Sequence, residues 1–305
     1  MPARNASHSE AGGEYRTSKM QIKDFIIKHK FVLLLLIPLA LYFVFGLHHL
    51  TQFETADEHY WYMNPLEGRI HEYWRAMLKG DLESTYVNDK PGITLAYVSG
   101  IGMLFQGDPE ERIVERGPFY RIFNPAKTEH NNLVFRLPLL IFNGLFVFYF
   151  LWALRKLTDN DWLSLLAATL ILLNPILIGI SQIVNPDSLL WTFSFAALLS
   201  FMLYLTKERK RDLILTALFT GLALLSKYAA VILFPFFLAV LAFHFLVNFE
   251  QWGAANLRQK VLQFFFAFWV IVVEALTLFA FLMPAVLVRP KLIYAATIGF
   301  KGAKP

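Results

Sequence analysis

The chain has 305 residues, of which 56% are hydrophobic and 17% charged, against about 25% charged in an ordinary soluble domain. Its apolar residues, 30 of them Phe, fall in long blocks, several close to the ~18 uninterrupted positions of a membrane span. Soluble globular, disordered and coiled-coil readings are thereby excluded, and the class is an all-α polytopic membrane protein. A formal charge of +5 is what Lys- and Arg-rich cytoplasmic loops leave behind, so it does not imply nucleic-acid binding. The absence of cysteine excludes disulfides, thiolate chemistry, zinc–thiolate sites and iron–sulfur clusters.

Residues 1–30 read as a basic cytoplasmic tail, with Arg16, Lys19, Lys23, Lys28 and Lys30 before the first apolar block. No small-residue cleavage site follows, so that block reads as a signal anchor with its N-terminus in the cytoplasm. Spans are expected at Phe31–Leu50, Leu133–Leu154, Leu163–Val184, Ser188–Thr206, Leu213–Ser226, Tyr228–Phe249 and Val261–Val288. The segment Pro91–Gln106 is apolar but short, and carries Gly92, Gly100 and Gly102. If it does not cross, Arg155-Lys156, the run Lys207–Arg211 and Arg258 with Lys260 all fall inside, as the positive-inside rule requires. That gives seven spans in one membrane module, residues 31–288, with a large outer loop from 51 to 132. Residues 289–305 are expected to be an outer-face tail of a truncated chain.

Within the outer loop, Leu66, Ile70, Tyr73, Trp74, Met77 and Leu78 mark one apolar helical face over Pro65–Gly80. Tyr and Trp on such a face favour the membrane interface; packing against the rest of the loop is the alternative. The charged run Asp108–Arg121 reads as a solvated face.

With this topology, four polar groups reach one face: Asp57-Glu58 past the first span, Asp89-Lys90-Pro91, the turn Asn185-Pro186-Asp187, and Ser226-Lys227-Tyr228. Carboxylates converging with lysines suit a site that deprotonates a hydroxyl and holds an anion.

The string Asp57-Glu58-His59-Tyr60-Trp61, then Gly80-Asp81 with Thr85-Tyr86, then Lys90-Pro91-Gly92-Ile93-Thr94, resembles the first outer loop of GT-C glycosyltransferases. Protein O-mannosyltransferases and lipid A aminoarabinose transferases are the nearest in pattern. Arg136-Leu137-Pro138, Asn185–Leu189 and Gly221–Lys227 are similar to that family too, in the same order.

The resemblance implies a polyprenyl-phosphate sugar donor, a lipid, glycan or protein acceptor, and inversion at the anomeric carbon. It implies Asp57 as general base, with Glu58 and Asp187 as further acidic site residues. Lys90 and Lys227 would face the donor phosphate, and Tyr60 and Arg136 would join substrate binding. Asp89 matches an acid that can bind a divalent metal, the one cofactor the resemblance suggests, although Asp is one methylene shorter than the family's Glu. The site would lie on the outer face of the plasma (inner) membrane.

Glu274 lies mid-way along the last apolar block, where an ionisable residue is a functional candidate by default. A hydrogen bond to a neighbouring helix is the plainer expectation. His48, His49, His59 and His71 show no metal-ligand spacing. The alternative function is a lipid-linked sugar flippase or transporter, served by Glu274 and by Pro175, Pro235 and Pro284. It lacks an inverted repeat of broken helices.

Overall fold

The structure is a computed structural model that describes residues 29–63, 68–87, 90–108, 111, 113–117 and 121–291. Most of the basic tail, Asp89 and the last residues of the chain lie outside that set.

Among the described residues ten helices form the frame: α1 His29–Leu47, α2 Arg69–Lys79, α3 Ile93–Leu104, α4 Pro125–Thr158, α5 Asp161–Leu172, α6 Pro175–Ser181, α7 Asp187–Lys207, α8 Lys210–Ser226, α9 Tyr228–Asn248 and α10 Arg258–Leu282. Among the described residues, α1, α4, α7, α9 and α10 are each long and apolar enough to cross a membrane, and α5 with α6 makes a sixth if that pair is one span. The seventh expected span is α8. It has 17 residues, about 25 Å of helix, and its first turn is spent on Lys210, Arg211 and Asp212. The class is as expected, while the full count of seven rests on α8.

Local chemistry explains the boundaries. The α4 helix starts eight residues before the expected Leu133, because Asn124 accepts the N–H groups of Ala126 and Lys127 and Pro125 fits the first turn. The expected span Leu163–Val184 bends by 52° between Leu172 and Pro175, where Asn174 caps Ile176 and Leu177 and Pro175 opens the new helix. Residues Leu233–Leu282 are helical throughout, yet the rings of His244 and Phe264 lie 5.6 Å apart. A straight helix would separate them by about 30 Å, so the chain reverses between α9 and α10.

Helices in lipid associate through close packing and inter-helix hydrogen bonds, and both are present. Asn143 of α4 donates to Ser181 Oγ of α6 at 3.2 Å and accepts from Thr192 of α7 at 2.9 Å. Gln182 donates to the carbonyls of Phe45, Gly46 and His48, satisfying groups that the end of α1 leaves open. The α8 helix packs between α7 and α10, and nearly all of its apolar residues on those sides are buried. At the far end of α7, Glu208 accepts from Lys260 at 2.8 Å and Gln263 at 3.2 Å. Those two bonds hold its carboxyl below the usual range.

Ile113–Arg116 and Arg121–Phe123 pair as antiparallel strands β1 and β2, and the described side chains of 108–117 are exposed or half-exposed, in keeping with a solvated face. The apolar face of α2 turns inward. Ile70 and Tyr73 are fully buried, Tyr73 donates to the Leu282 carbonyl at 2.7 Å, and Trp74 donates to the Ala96 carbonyl at 2.8 Å. Packing therefore takes most of this face, Leu78 alone of its described members standing open at 85%; Leu66 lies outside the described residues. Glu274 faces outward from α10 with no hydrogen-bond partner among the described residues, so the expected bond to a neighbouring helix is not made.

Both ends of α3 are fastened to one end of the bundle. At its start, the Gly92 N–H donates to the Ser226 carbonyl at 3.1 Å. At its end, His130 of α4 donates to the Phe105 carbonyl at 2.8 Å, and a Cβ on Gly102 would sit 2.5 Å from the Val134 carbonyl oxygen. A helix of this length reaches only about 20 Å, short of a ~30 Å hydrocarbon core. The chain lacks cysteine, which allows a direct check with single-cysteine variants and an impermeant thiol reagent. Ser84→Cys and Leu104→Cys should label from the same side of the membrane, and Lys210→Cys from the other. Ser84→Cys and Leu104→Cys labelling from opposite sides would show that α3 spans.

Candidate active site

Arg136 lies three turns into α4 and is 2% exposed. A guanidinium at that depth is tolerable only if its charge and its N–H groups are all met. Glu58 meets the charge in a two-bonded clasp, Nε to Oε1 and Nη2 to Oε2, each 2.7 Å. The remaining donors reach the carbonyls of Leu50, Gln52 and Phe53, where the chain leaves α1. Glu58 is itself 0% exposed. Its Oε2 accepts from the Thr55 N–H and hydroxyl, while the Glu58 N–H donates back to Thr55, a capping box around the single turn Ala56–Glu58. Its Oε1 also accepts the Val184 N–H at 2.9 Å. One carboxylate thus ties the exit of α1, the start of α4 and the turn before α7.

The rest of the site closes this into a ring. Val184 leads into Asp187, at the start of α7, whose Oδ1 lies 2.6 Å from Lys227 Nζ. Next to Lys227, Ser226 receives the Gly92 N–H and shares a 2.7 Å hydroxyl contact with Thr94. Gly92 has φ +61°, and a Cβ there would fall 1.9 Å from the Trp61 ring. Only glycine fits that backbone and that gap. Trp61 is 2% exposed and follows Glu58 by three residues, which completes the circuit.

The residues singled out from sequence separate into two kinds. Asp57, Tyr60 and Lys90 are exposed, and the Asp57 carboxylate has no hydrogen bond or ion pair to the described residues. The guanidinium of Arg69 sits 5.2 Å from the Tyr60 ring centre and equally far from that of Trp61. Asp187 and Lys227 are half-buried and paired with each other. Glu58 and Arg136 are sealed and fully engaged, so neither presents a free group to a substrate. The Tyr62 hydroxyl is pushed well above its usual range by burial first and by the Glu58 charge second. It stays a neutral donor to Asn132 at 2.7 Å. Among the described residues no three of His, Asp and Glu converge on a possible metal position, and Asp89 lies outside those residues.

Residues 119–276 match a family model described as dolichyl-phosphate-mannose-protein mannosyltransferase. The chain belongs to that family. It is a membrane glycosyltransferase of the mannosyltransferase type. The matched stretch contains Arg136, Asp187 and Lys227, whereas Asp57, Glu58 and Lys90 precede it. No curated protein and no solved structure matches the chain.

In this mannosyltransferase-family chain the framing residues Trp61, Gly92, Thr94 and Ser226 carry no chemistry of their own. In the sequence they stand inside the strings that resemble the GT-C family, Asp57–Trp61, Lys90–Thr94 and Gly221–Lys227, with no sign of the contacts they make with one another. Removing one partner of a buried ion pair costs about 3–5 kcal/mol, so Arg136→Met or Glu58→Gln should lower stability by that order in a denaturant or thermal melt. The double variant should lose much less than the sum. Gly92→Ala should cost about 1–3 kcal/mol through overpacking and strain, and Trp61→Leu should recover part of it.

Proposed function

We propose that the ring binds a polyprenyl-phosphate sugar and transfers the sugar to an acceptor hydroxyl, with Asp57 as general base. One observation carries the reading. An exposed, unpaired carboxylate at Asp57 is held at the same end of the bundle as Lys227 and Lys90, by a closed circuit of contacts through Glu58, Val184, Asp187, Ser226, Gly92 and Trp61. The family's description names a dolichyl-phosphate-mannose donor and a protein acceptor, which fits such a site.

A hydroxyl is a poor nucleophile at neutral pH and needs a positioned carboxylate to take its proton. In the proposed step the acceptor oxygen bonds to the anomeric carbon as the carbon–oxygen bond to phosphate breaks. The proton goes to Asp57, and the bonding pair leaves on the phosphate ester. A single displacement of this kind inverts the anomeric centre. The leaving group is already an anion, so it requires fixed positive charge rather than a second acid. Lys227 supplies that charge, Asp187 holds it in place, and Lys90 adds to it from the Gly92 loop. Tyr60, its ring met by Arg69, lines the approach beside Asp57. Glu58 and Arg136 act as positioning residues. A prenyl tail can then stay in the bilayer while its phosphate reaches the ring.

The sidedness follows from charge. Arg155, Lys156, Lys207, Lys210, Arg211, Arg258 and Lys260 collect at the end away from the ring, which by the positive-inside rule faces the cytoplasm. The ring then faces outward.

The test uses a radiolabelled polyprenyl-phosphate mannose. Asp57→Asn keeps the side chain's size but cannot accept the proton, and transfer should fall roughly 10²–10⁴-fold with donor binding retained. Activity within a few-fold of the unaltered chain would remove Asp57 from the mechanism, and movement of intact labelled lipid without sugar transfer would favour a flippase. Lys227→Met should weaken binding of the free polyprenyl phosphate by about tenfold or more, one charge-assisted contact being worth about 1.5–3 kcal/mol, and Lys227→Arg should keep most of it.

A further inference from the structure

The end of the bundle away from the ring holds a cavity of about 560 Å³. It lies between the start of α1 and the α4–α5 turn. Arg155 marks its depth, roughly 28 Å beyond Arg136 along α4, close to the thickness of a hydrocarbon core. The floor is apolar, made by Val32, Phe148, Leu151 and Trp152, and the rim is charged, made by Arg155, Lys156, Asp159 and Asp161. Aromatic rings at the same level meet cations. Arg211 sits 5.0 Å from the Trp152 ring, and Arg155 5.6 Å from Phe31. Such pairs belong at the boundary between acyl chains and headgroups.

The rim charges are not equivalent. Arg155 Nε and Asp161 Oδ1 are 2.5 Å apart and satisfy each other. Lys156 and Asp159 are exposed and have no partner among the described residues. Both line the cavity, Lys156 from the last turn of α4 and Asp159 from the residue just past its end. Asp159 is held with φ +49°, which fixes the rim where the helix ends. One free cation and one free carboxylate above an apolar slot match a ligand carrying a phosphate, a nearby ammonium and a hydrocarbon chain.

We propose that this cavity binds one phospholipid with a primary-amine headgroup, such as a phosphatidylethanolamine. Its phosphate lies at Lys156, its ammonium donates to Asp159, and an acyl chain lies over Leu151 and Trp152. A headgroup without the amine leaves Asp159 facing the phosphate unrelieved. A quaternary amine cannot donate a hydrogen bond to it. The order of preference is therefore primary amine, then choline, then glycerol.

The test is competition on the full chain in detergent, read by native mass spectrometry. Ethanolamine, choline and glycerol phospholipids of identical acyl chains are compared, with O-phosphoethanolamine and inorganic phosphate as soluble arms. The ethanolamine lipid should be retained about tenfold over the glycerol lipid. Asp159→Asn keeps the backbone, since Asn tolerates this left-handed conformation, and should bring the two lipids within about twofold. Lys156→Gln should weaken both by roughly fivefold. Equal retention of the three lipids by the unaltered chain overturns the proposal, as does an ethanolamine preference that survives Asp159→Asn. Displacement by O-phosphoethanolamine or inorganic phosphate as effective as by the diacyl lipid shows a soluble-phosphate site instead and overturns the lipid assignment. The headgroup series needs no variant, so a substitution that fails to fold cannot shield the idea. Neither residue belongs to the ring, so sugar transfer is not part of the readout.

Discussion

The buried pairing of Glu58 with Arg136 is the constraint on which the candidate site depends. A cation three turns inside a membrane helix demands neutralisation, and Glu58 supplies it from a short turn that follows α1. That demand pulls residues 55–58 onto the bundle and spends the carbonyls at the end of α1 on the guanidinium. Each oxygen of Glu58 is used more than once. The energetic weight of the arrangement lies less in attraction between the charges than in the cost of leaving either one alone in a dry place. Geometry follows from that cost. Asp57 cannot drift, because its neighbour is clasped.

The ring pairs sealed members with open ones. Glu58, Arg136, Trp61 and Gly92 are buried and set positions, while Asp57, Tyr60 and Lys90 are exposed, and the Asp187–Lys227 pair is half-open. This division suits transfer chemistry, which needs reactive groups that are free at their tips and fixed at their bases. Lys227 is the clearest case. Its main chain belongs to the end of α8, its neighbour Ser226 is tied to α3, and its ammonium is held toward Asp187 before any ligand arrives. A phosphate meeting that ammonium would find it already oriented.

The two ends of the bundle differ in kind. At the ring end, polar groups from four separate segments are bound to one another through main-chain and side-chain contacts. At the other end, charges sit on turns in isolated pairs, Arg155 with Asp161 and Lys260 with Glu208, while Lys156 and Asp159 have no partner among the described residues. Such turns lie where water and headgroups mix, and their charges can be met by lipid as readily as by protein. The family match makes the chain a membrane glycosyltransferase, and the ring is where we propose that transfer occurs.

By itself, the sequence determined the class and most of the long helices, because hydropathy and capping are local properties. Pro125 after Asn124 and Pro175 after Asn174 mark helix starts whatever surrounds them. Charge asymmetry and segment length also showed that Pro91–Gln106 need not cross. The residue pairings were decided by tertiary structure alone. Nothing in the spacing of Glu58 and Arg136 reveals that they clasp, or that Asp187 holds Lys227, since each pair joins segments whose rotation is set by packing elsewhere. The same holds for α2, whose amphipathic face could serve a membrane surface or a protein core equally well; the carbonyls of Leu282 and Ala96, waiting for Tyr73 and Trp74, chose the core. Hydropathy records what a residue avoids, and only the packed bundle decides what it meets.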